Sequence, residues 1–312
     1  MGFDRIDTLA KERKPFLFIT DFLAQKVEVY SLDELDKHNI SYAIDTSKKS
    51  RKHSFVLQKY PIDFKKYKDK FNFVQEKIKS GETYMLNLTQ PTKITTNLTL
   101  KEIYQHANAS YKLFYKNQFV CFSPEKFIQI KNNTIHTFPM KGTIDASLPD
   151  AKEMILQDTK EMAEHVMVVD LLRNDLAKVA QKVRVEKFRY VETIEAGEKK
   201  LLQVSSHICG DLDESWHVNL GTILQNLLPA GSICGSPKKS TLEIIEEVEG
   251  YERGFYSGVF GVYDGRTLDS GVMIRFIEKQ EDGLVYKSGG GITIDSDVVR
   301  EYDELLAKVY LP

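Results

Sequence analysis

The sequence predicts an α+β protein built on large antiparallel β-sheets with helices packed outside. Three observations carry that reading. Strand-like runs are numerous, and polar turns separate them. Helical periodicity is confined to a few segments. Helices do not alternate regularly with strands, which argues against a parallel doubly wound sheet.

Residues 16–45 hold three short runs, FLFITDF, VEVYSL and ISYAID, between polar turns. The polar stretch Asp45 to His53 reads as a loop. DFKKYKDKFNFVQEKIKSG places Phe64, Tyr67, Phe71, Val74 and Ile78 at helical spacing, with Gly81 as the stop. TYMLNLTQPTKIT, YKLFYKNQFVCFS and FIQIKNNTIHTFP read as strands, and Asn132-Asn133 as a hairpin turn. Residues 150–180 read as one long helical segment. Five more strand runs follow: KVRVEKFRYVETI, LLQVSSHICGDL, GFYSGVFGVYDG, LDSGVMIRFIE and LVYKSGGGITI. Helices are predicted at 237–249, opened by Pro237, and at 297–310, opened by an Asp-Ser-Asp cap.

No low-complexity linker or repeat divides the 312 residues, and length alone leaves one domain or two open. Apolar residues make up 42% and charged residues 28%, as in a soluble globular protein. A net charge of -2 gives no basic field for nucleic acid. No apolar run approaches the ~18 residues of a membrane helix. The start, MGFDRIDTLAKERK, lacks the apolar core of a signal peptide. Cys121, Cys209 and Cys234 are scattered and odd in number. That fits reduced thiols and a cytoplasmic location, with no disulfide framework and no zinc spacing.

Two matched carboxylate pairs stand out. Glu161 and Glu164 lie three residues apart in KEMAEHVMVVDLL, and Glu301 and Glu304 repeat the spacing in REYDELLAK. On helices each pair shares a face. The four are either solvated surface or a convergent set of hard oxygens suited to Mg²⁺. The second pair follows GGGITIDS, read as a backbone-dense loop able to cradle an anion. PAGSICGSPKK is a further glycine-rich turn entering a helix, without nucleotide-binding spacing. In FPMKGTI, Lys141 sits between Met140 and Gly142. Burial there would lower its pKa and free the amine as a nucleophile, whereas a strand-end lysine in water would stay charged. Glu125, in SPEKF, is a surface residue or an acid. Arg275, in MIRF, is either paired in the core or a carboxylate clamp. His165 has no partner at ligand spacing and reads as structural. No serine or cysteine stands in a nucleophile motif.

These strings, in this order over roughly residues 65–312, resemble the chorismate-utilising enzyme family. The resemblance implies two large antiparallel sheets packed as a sandwich with helices outside. It makes residues 1–312 a single domain, with 1–65 a shortened N-terminal part and 65–312 the catalytic core. Within the family, PMKGT resembles the aminodeoxychorismate synthase component I branch, where the lysine is a nucleophile, and that role falls on Lys141. Isochorismate and salicylate synthases carry a water-activating lysine where this chain has Met85. The anthranilate branch usually has a histidine where this chain has Gln203.

The same resemblance makes Glu164 and Glu304 the principal Mg²⁺ ligands, with Glu161 and Glu301 coordinating directly or through water. Arg275, Tyr256 and the backbone of Gly289, Gly290 and Gly291 become a clamp for the enolpyruvyl carboxylate. Lys308 joins that site. Ser232 contacts substrate, as do Gly142, Thr143 and Gln203. Glu125 becomes a general acid/base. The implied reaction converts chorismate and ammonia to 4-amino-4-deoxychorismate, a precursor of 4-aminobenzoate and folate. A separate glutamine amidotransferase subunit would supply ammonia, and a separate lyase would act next. Anthranilate synthase component I, or a non-catalytic binding subunit on the same fold, remains the alternative.

Overall fold

A computed structural model describes residues 2–45, 55–196 and 199–312. Most of the predicted Asp45–His53 loop lies outside the described residues. An unexpected helix, α1 (Gly2–Lys11), comes first; it buries only Ile6 and Ala10, too short an apolar stripe to stand out in the sequence. Strands β1 (Phe16–Thr20), β2 (Val27–Ser31) and β3 (Ile40–Ile44) match the three early runs. After β4 (Leu57–Tyr60), α2 (Phe64–Lys79) buries Tyr67, Phe71, Val74 and Ile78, and Gly81 follows it with φ +79°. Phe64 stays exposed at 37%.

Next come β5 (Met85–Thr96), α3 (Leu100–His106), β6 (Tyr111–Tyr115), β7 (Phe119–Ser123), β8 (Lys126–Lys131) and β9 (Thr134–Thr137). Asn132 and Asn133 both have positive φ, as a two-residue hairpin between β8 and β9 requires. Helix α3 was not predicted, although Thr99 and Glu102 form a capping box at its start.

After β10 (Met140–Asp145), the single helix expected over 150–180 is two: α4 (Ala151–Gln157) and α5 (Thr159–Ala177). Asp158 between them is extended, and its side chain accepts the Glu161 backbone N–H, so an N-cap replaces the middle of a helix. Strands β11 (Gln181–Ala196) and β12 (Lys199–Asp211) lead to α6 (Leu220–Leu227), β13 (Gly235–Ser236) and α7 (Lys238–Glu249). Pro237 is the residue before α7. The chain ends through β14 (Val259–Tyr263), β15 (Leu268–Val272), β16 (Phe276–Gln280), β17 (Gly283–Ile292) and α8 (Val298–Ala307).

The strands form two antiparallel sheets. One runs β10-β12-β9-β8-β15-β14-β1-β2, with β11 also on β12; the other runs β13-β5-β17-β16-β7-β6-β3, with β4 also on β5. Residues 1–65 are therefore woven into both sheets. LDSGVMIRFIE, read as one strand, is two strands in different sheets, and Arg275 sits at the crossing with φ +52°. Between the sheets, Leu17, Ile19 and Phe260 of the first pack with Leu113, Phe119 and Phe276 of the second. The Phe119 and Phe276 rings stack at 4.7 Å. Truncating either to alanine should cost roughly 3–5 kcal/mol. A second apolar cluster joins α2, α5 and α7 to β5, which anchors the helices that carry the carboxylates.

Candidate active site

Lys141 owes its direction to a bulge. Met140 faces Ser205 and Thr143 faces Gln203, so Lys141 and Gly142 together oppose one residue of β12. Such an insertion re-aims side chains. Gly142 has φ +86°, and a Cβ there would lie 3.2 Å from Glu161 Oε2, so a larger residue would be strained and crowded. Lys141 Nζ lies 2.7 Å from Glu164 Oε2.

The Asp158 cap starts α5 so that Glu161 and Glu164 share the face toward Lys141. Asp297 caps α8 through the Val299 and Arg300 N–H groups, and Glu301 and Glu304 follow. Ser296 Oγ donates to Glu301 Oε1 at 2.7 Å, and Lys308 Nζ pairs with Glu304 Oε1 at 2.6 Å. Lys160 Nζ stands 3.8 Å from Glu164 Oε1. Burial pushes the Glu161 and Glu301 carboxyls up. Glu304 is also pushed up by burial, but Lys308 beside it brings the net shift below the ordinary range. The expectation that burial frees the Lys141 amine is corrected here. Burial does pull its pKa down, but the Glu164 carboxylate outweighs that, and the net shift is upward.

A cavity of about 420 Å³ opens beside Lys141. Gly142, Thr143, Glu161, Gln203, Gly291 and Glu304 line it. A second, of about 100 Å³, is lined by Tyr256, Arg275, Lys287 and Gly289. Glu125, Ser232 and Lys308, together with Asn87, border both. Glu164 lies behind the Lys141 ammonium and Glu301 beside Gly290, so these two and Gly290 do not line either cavity. Ser232 Oγ donates to Glu125 Oε1 at 2.5 Å. Burial pushes the Glu125 carboxyl up, although Ser232, Arg275 and Lys308 oppose it. Among the described residues Arg275 Nε is buried without a hydrogen-bond partner, and its guanidinium stands 5.7 Å from the Tyr310 ring.

Of the two readings of the glycine run, the strand LVYKSGGGITI holds and the loop does not: Gly289, Gly290 and Gly291 pair with Thr89, Leu88 and Asn87 of β5. β16 covers β17 only over Gly283–Lys287, so the other edge of the glycines carries no strand. Lys308 Nζ donates to the Gly289 carbonyl at 2.8 Å. Small size, not loop geometry, is what this stretch requires: a Cβ on Gly289 would meet Thr89 Cγ2 at 2.5 Å.

The donor chemistry suits Mg²⁺ as an open site. A Cβ at Gly290 would fall 3.3 Å from Glu301 Oε2 and 3.8 Å from Glu304 Oε1, so the glycine leaves a cradle beside two hard oxygens. Among the described residues no three His, Cys, Asp or Glu side chains form a ready metal centre. The four carboxylates expected to converge therefore do not stand as one preassembled set, and an ion there would need water and substrate to complete its shell. His165 takes the structural place expected: its Nε2 lies 2.7 Å from Ser206 Oγ, and burial lowers its pKa to about 4. Sequence reasoning missed Asn87 and Lys287. Lys287 is buried and paired with Glu278 at 2.8 Å; its only signal was a lysine inside an apolar strand.

Two antiparallel sheets thus carry a lysine-bearing, carboxylate-lined cavity with an arginine pocket beside it, a charge pattern of the kind found in enzymes that act on small anions. The chain belongs to the chorismate binding enzyme family, whose profile matches residues 8–311. It is 47% identical over 308 residues to an uncharacterized PabA-like protein of Pasteurella multocida, covering 97% of this chain and 95% of that one. It is 32% identical over 259 residues to aminodeoxychorismate synthase component 1 of Klebsiella aerogenes, covering 78% and 56%. It is also 32% identical over 244 residues to anthranilate synthase component 1 of Archaeoglobus fulgidus, covering 75% and 58%. The structure of an isochorismate synthase from Bacillus anthracis superposes with TM-score 0.72 at 18% identity, over 99% of this chain and 88% of that one, which shows the shared fold. The protein is a chorismate-utilising enzyme. No helix among the described residues is long and apolar enough to cross a membrane.

Proposed function

We propose that this chain is an aminodeoxychorismate synthase component I, which joins ammonia to chorismate and yields 4-amino-4-deoxychorismate. The observation that carries the reading is Lys141, bulged into the larger cavity, with Met85 rather than a second lysine facing it. The Cβ position of Gly291 lies 3.8 Å from Lys141 Nζ and 3.9 Å from Met85 Sδ. A thioether activates no water, so the amine is the nucleophile that remains.

Chorismate brings two carboxylates and a poor leaving group, the C4 hydroxyl. Arg275 binds the enolpyruvyl carboxylate in the smaller cavity, with the free edge of Gly289–Gly291 beside it. Lys141 Nζ, having passed a proton to Glu164 Oε2, bonds to C2. The two ring double bonds shift, the C4–O bond breaks, and Glu125 gives its proton so that water leaves. Ammonia then bonds to C4, the double bonds return, and the C2–N bond breaks to restore Lys141. Glu164 and Glu304, with Glu161 and Glu301 directly or through water, would hold Mg²⁺, which would supply positive charge for the ring carboxylate. Ammonia comes from solution or from a separate amidotransferase subunit, and a separate lyase releases 4-aminobenzoate; such a pathway sits in the cytoplasm.

The test is product identity. Incubation with chorismate, Mg²⁺ and ammonium should yield a para-amino product that forms 4-aminobenzoate only after lyase is added. Without ammonia, intact-mass analysis should find a dehydrated chorismate adduct that maps to Lys141. A fluorescent ortho-amino product with no adduct would instead support anthranilate synthesis, the activity named for a relative of equal identity.

A further inference from the structure

We propose that Asn87 is a substrate-contacting residue whose carboxamide donates to the ether oxygen joining the enolpyruvyl arm of chorismate to its ring. The inference rests on chorismate as the substrate and on Arg275 holding the arm, not on which amine product forms.

Four side chains border both cavities, and three of them have partners within the protein. Glu125 and Ser232 hold each other, and Lys308 is held by Glu304 and the Gly289 carbonyl. Asn87 is the exception: its carboxamide makes no hydrogen bond among the described residues. Its placement is set by the ladder. Asn87 faces Gly291 across β5 and β17, and it shares a strand face with Met85, two residues earlier. Gly291 lacks a side chain where Lys141 and Met85 approach, so space for a ligand lies directly beside Asn87.

The backbone under Asn87 is pinned. Its N–H donates to the Cys234 carbonyl at 2.8 Å. Arg253 Nη2 donates to the Asn87 carbonyl at 2.6 Å, and Nη1 donates to the Ile233 carbonyl at 2.9 Å. Glu249 grips the same guanidinium at 2.7 and 2.8 Å. One buried ion pair therefore fixes Asn87 relative to the turn that carries Ser232. A free, rigidly held amide is what ligand recognition uses.

Chemistry selects the atom. With one carboxylate in the arginine pocket and the ring beside Lys141, the groups crossing between the cavities are the C3 ether and the C4 hydroxyl. Glu125 serves the hydroxyl. The ether oxygen can only accept, and an amide donates to it without adding charge beside a dianion.

The test compares two ligands: chorismate and its analogue with CH₂ in place of the ether oxygen. Binding of each is measured calorimetrically, with Mg²⁺ and no ammonia, in the full chain carrying Lys141→Ala to prevent reaction. In that background the ether ligand should bind roughly tenfold more tightly than the methylene analogue, as one hydrogen bond allows. Adding Asn87→Leu should abolish that preference by weakening chorismate alone. Asn87→Ala, which adds no bulk, repeats the comparison in case leucine disturbs the strand. Equal weakening of both ligands, no preference before the Asn87 change, or a preference that survives it would each overturn the assignment. An ortho-amino product would sink the proposed amination and leave this test standing.

Discussion

The two cavities treat charge in opposite ways. Around the larger one, opposite charges meet within the protein: Lys141 on Glu164, Lys160 near the same carboxylate, and Lys308 on Glu304. Around the smaller one, the Lys287 ammonium has Glu278, but Arg275 keeps a buried Nε with no hydrogen-bond partner. A buried donor without a partner is costly and is retained where something else satisfies it. In the first region three lysines thus offset most of the charge of Glu161, Glu164, Glu301 and Glu304, which makes it the more nearly balanced half. The second leaves a buried donor available to an anion, as the proposed function requires. Chemistry and affinity are placed in different halves of one site, and variants should separate them.

The largest effect should come from the balanced half. Lys141→Ala removes the nucleophile and leaves the clamp intact, so kcat should fall roughly 10²–10⁴-fold, the range for loss of one catalytic side chain. KM for chorismate should change little. Steady-state kinetics with ammonium checks this, and a variant with native kcat would end the covalent reading. Lys141→Arg should not rescue, because a guanidinium stays protonated. The anion-dependent half should give the reverse pattern. Arg275→Gln deletes the charge that meets the substrate carboxylate, which is worth about 2–5 kcal/mol for a buried pair. Chorismate binding in the absence of ammonia should weaken by at least about 30-fold. A kcat loss at unchanged affinity would show that the comparison has been drawn the wrong way round.

Much of the balanced half was legible in the sequence, because its parts are local. The i,i+3 spacing of Glu161 with Glu164 and of Glu301 with Glu304 needs only a helix, and the lysine beside a glycine hints at a bulge. The other half depends on pairing between distant segments. That Asn87 meets Gly291, or that Arg275 stands where the chain leaves one sheet for the other, follows from a register no local pattern encodes. The same limit explains the triple glycine. Its strand character was readable from LVYKSGGGITI, but that the strand needs glycine follows from the crowding of Thr89 on its neighbour. The split at Asp158 was locally readable, since Asp158 and Glu161 have cap spacing, but strong helix formers on both sides masked it; the Thr99 and Glu102 box was equally readable, before a helix too short to show a period.

The smallest expected effect tests the wall the two halves share. Burial raises the Glu125 pKa, so the folded chain holds that proton more tightly than the unfolded chain does. The sign follows from linkage. Below the ordinary carboxyl range both states are protonated and Glu125 contributes no slope. As pH rises past that range, the unfolded state releases the proton first, and folding stability falls until the folded pKa is passed. Each tenfold difference in proton affinity is about 1.4 kcal/mol. Glu125→Gln, which stays neutral, should lack that decline and melt higher than the native chain at neutral pH, while losing the acid that assists departure of the C4 hydroxyl. Thermal melts of both proteins from pH 4 to 8 measure the difference directly and cancel the parallel contributions of Glu161 and Glu301, whose pKa values burial also raises. Identical melting profiles would mean that Ser232, Arg275 and Lys308 offset the burial completely. The shared wall would then belong with the self-balanced half, and Glu125 would enter the reaction as a carboxylate base.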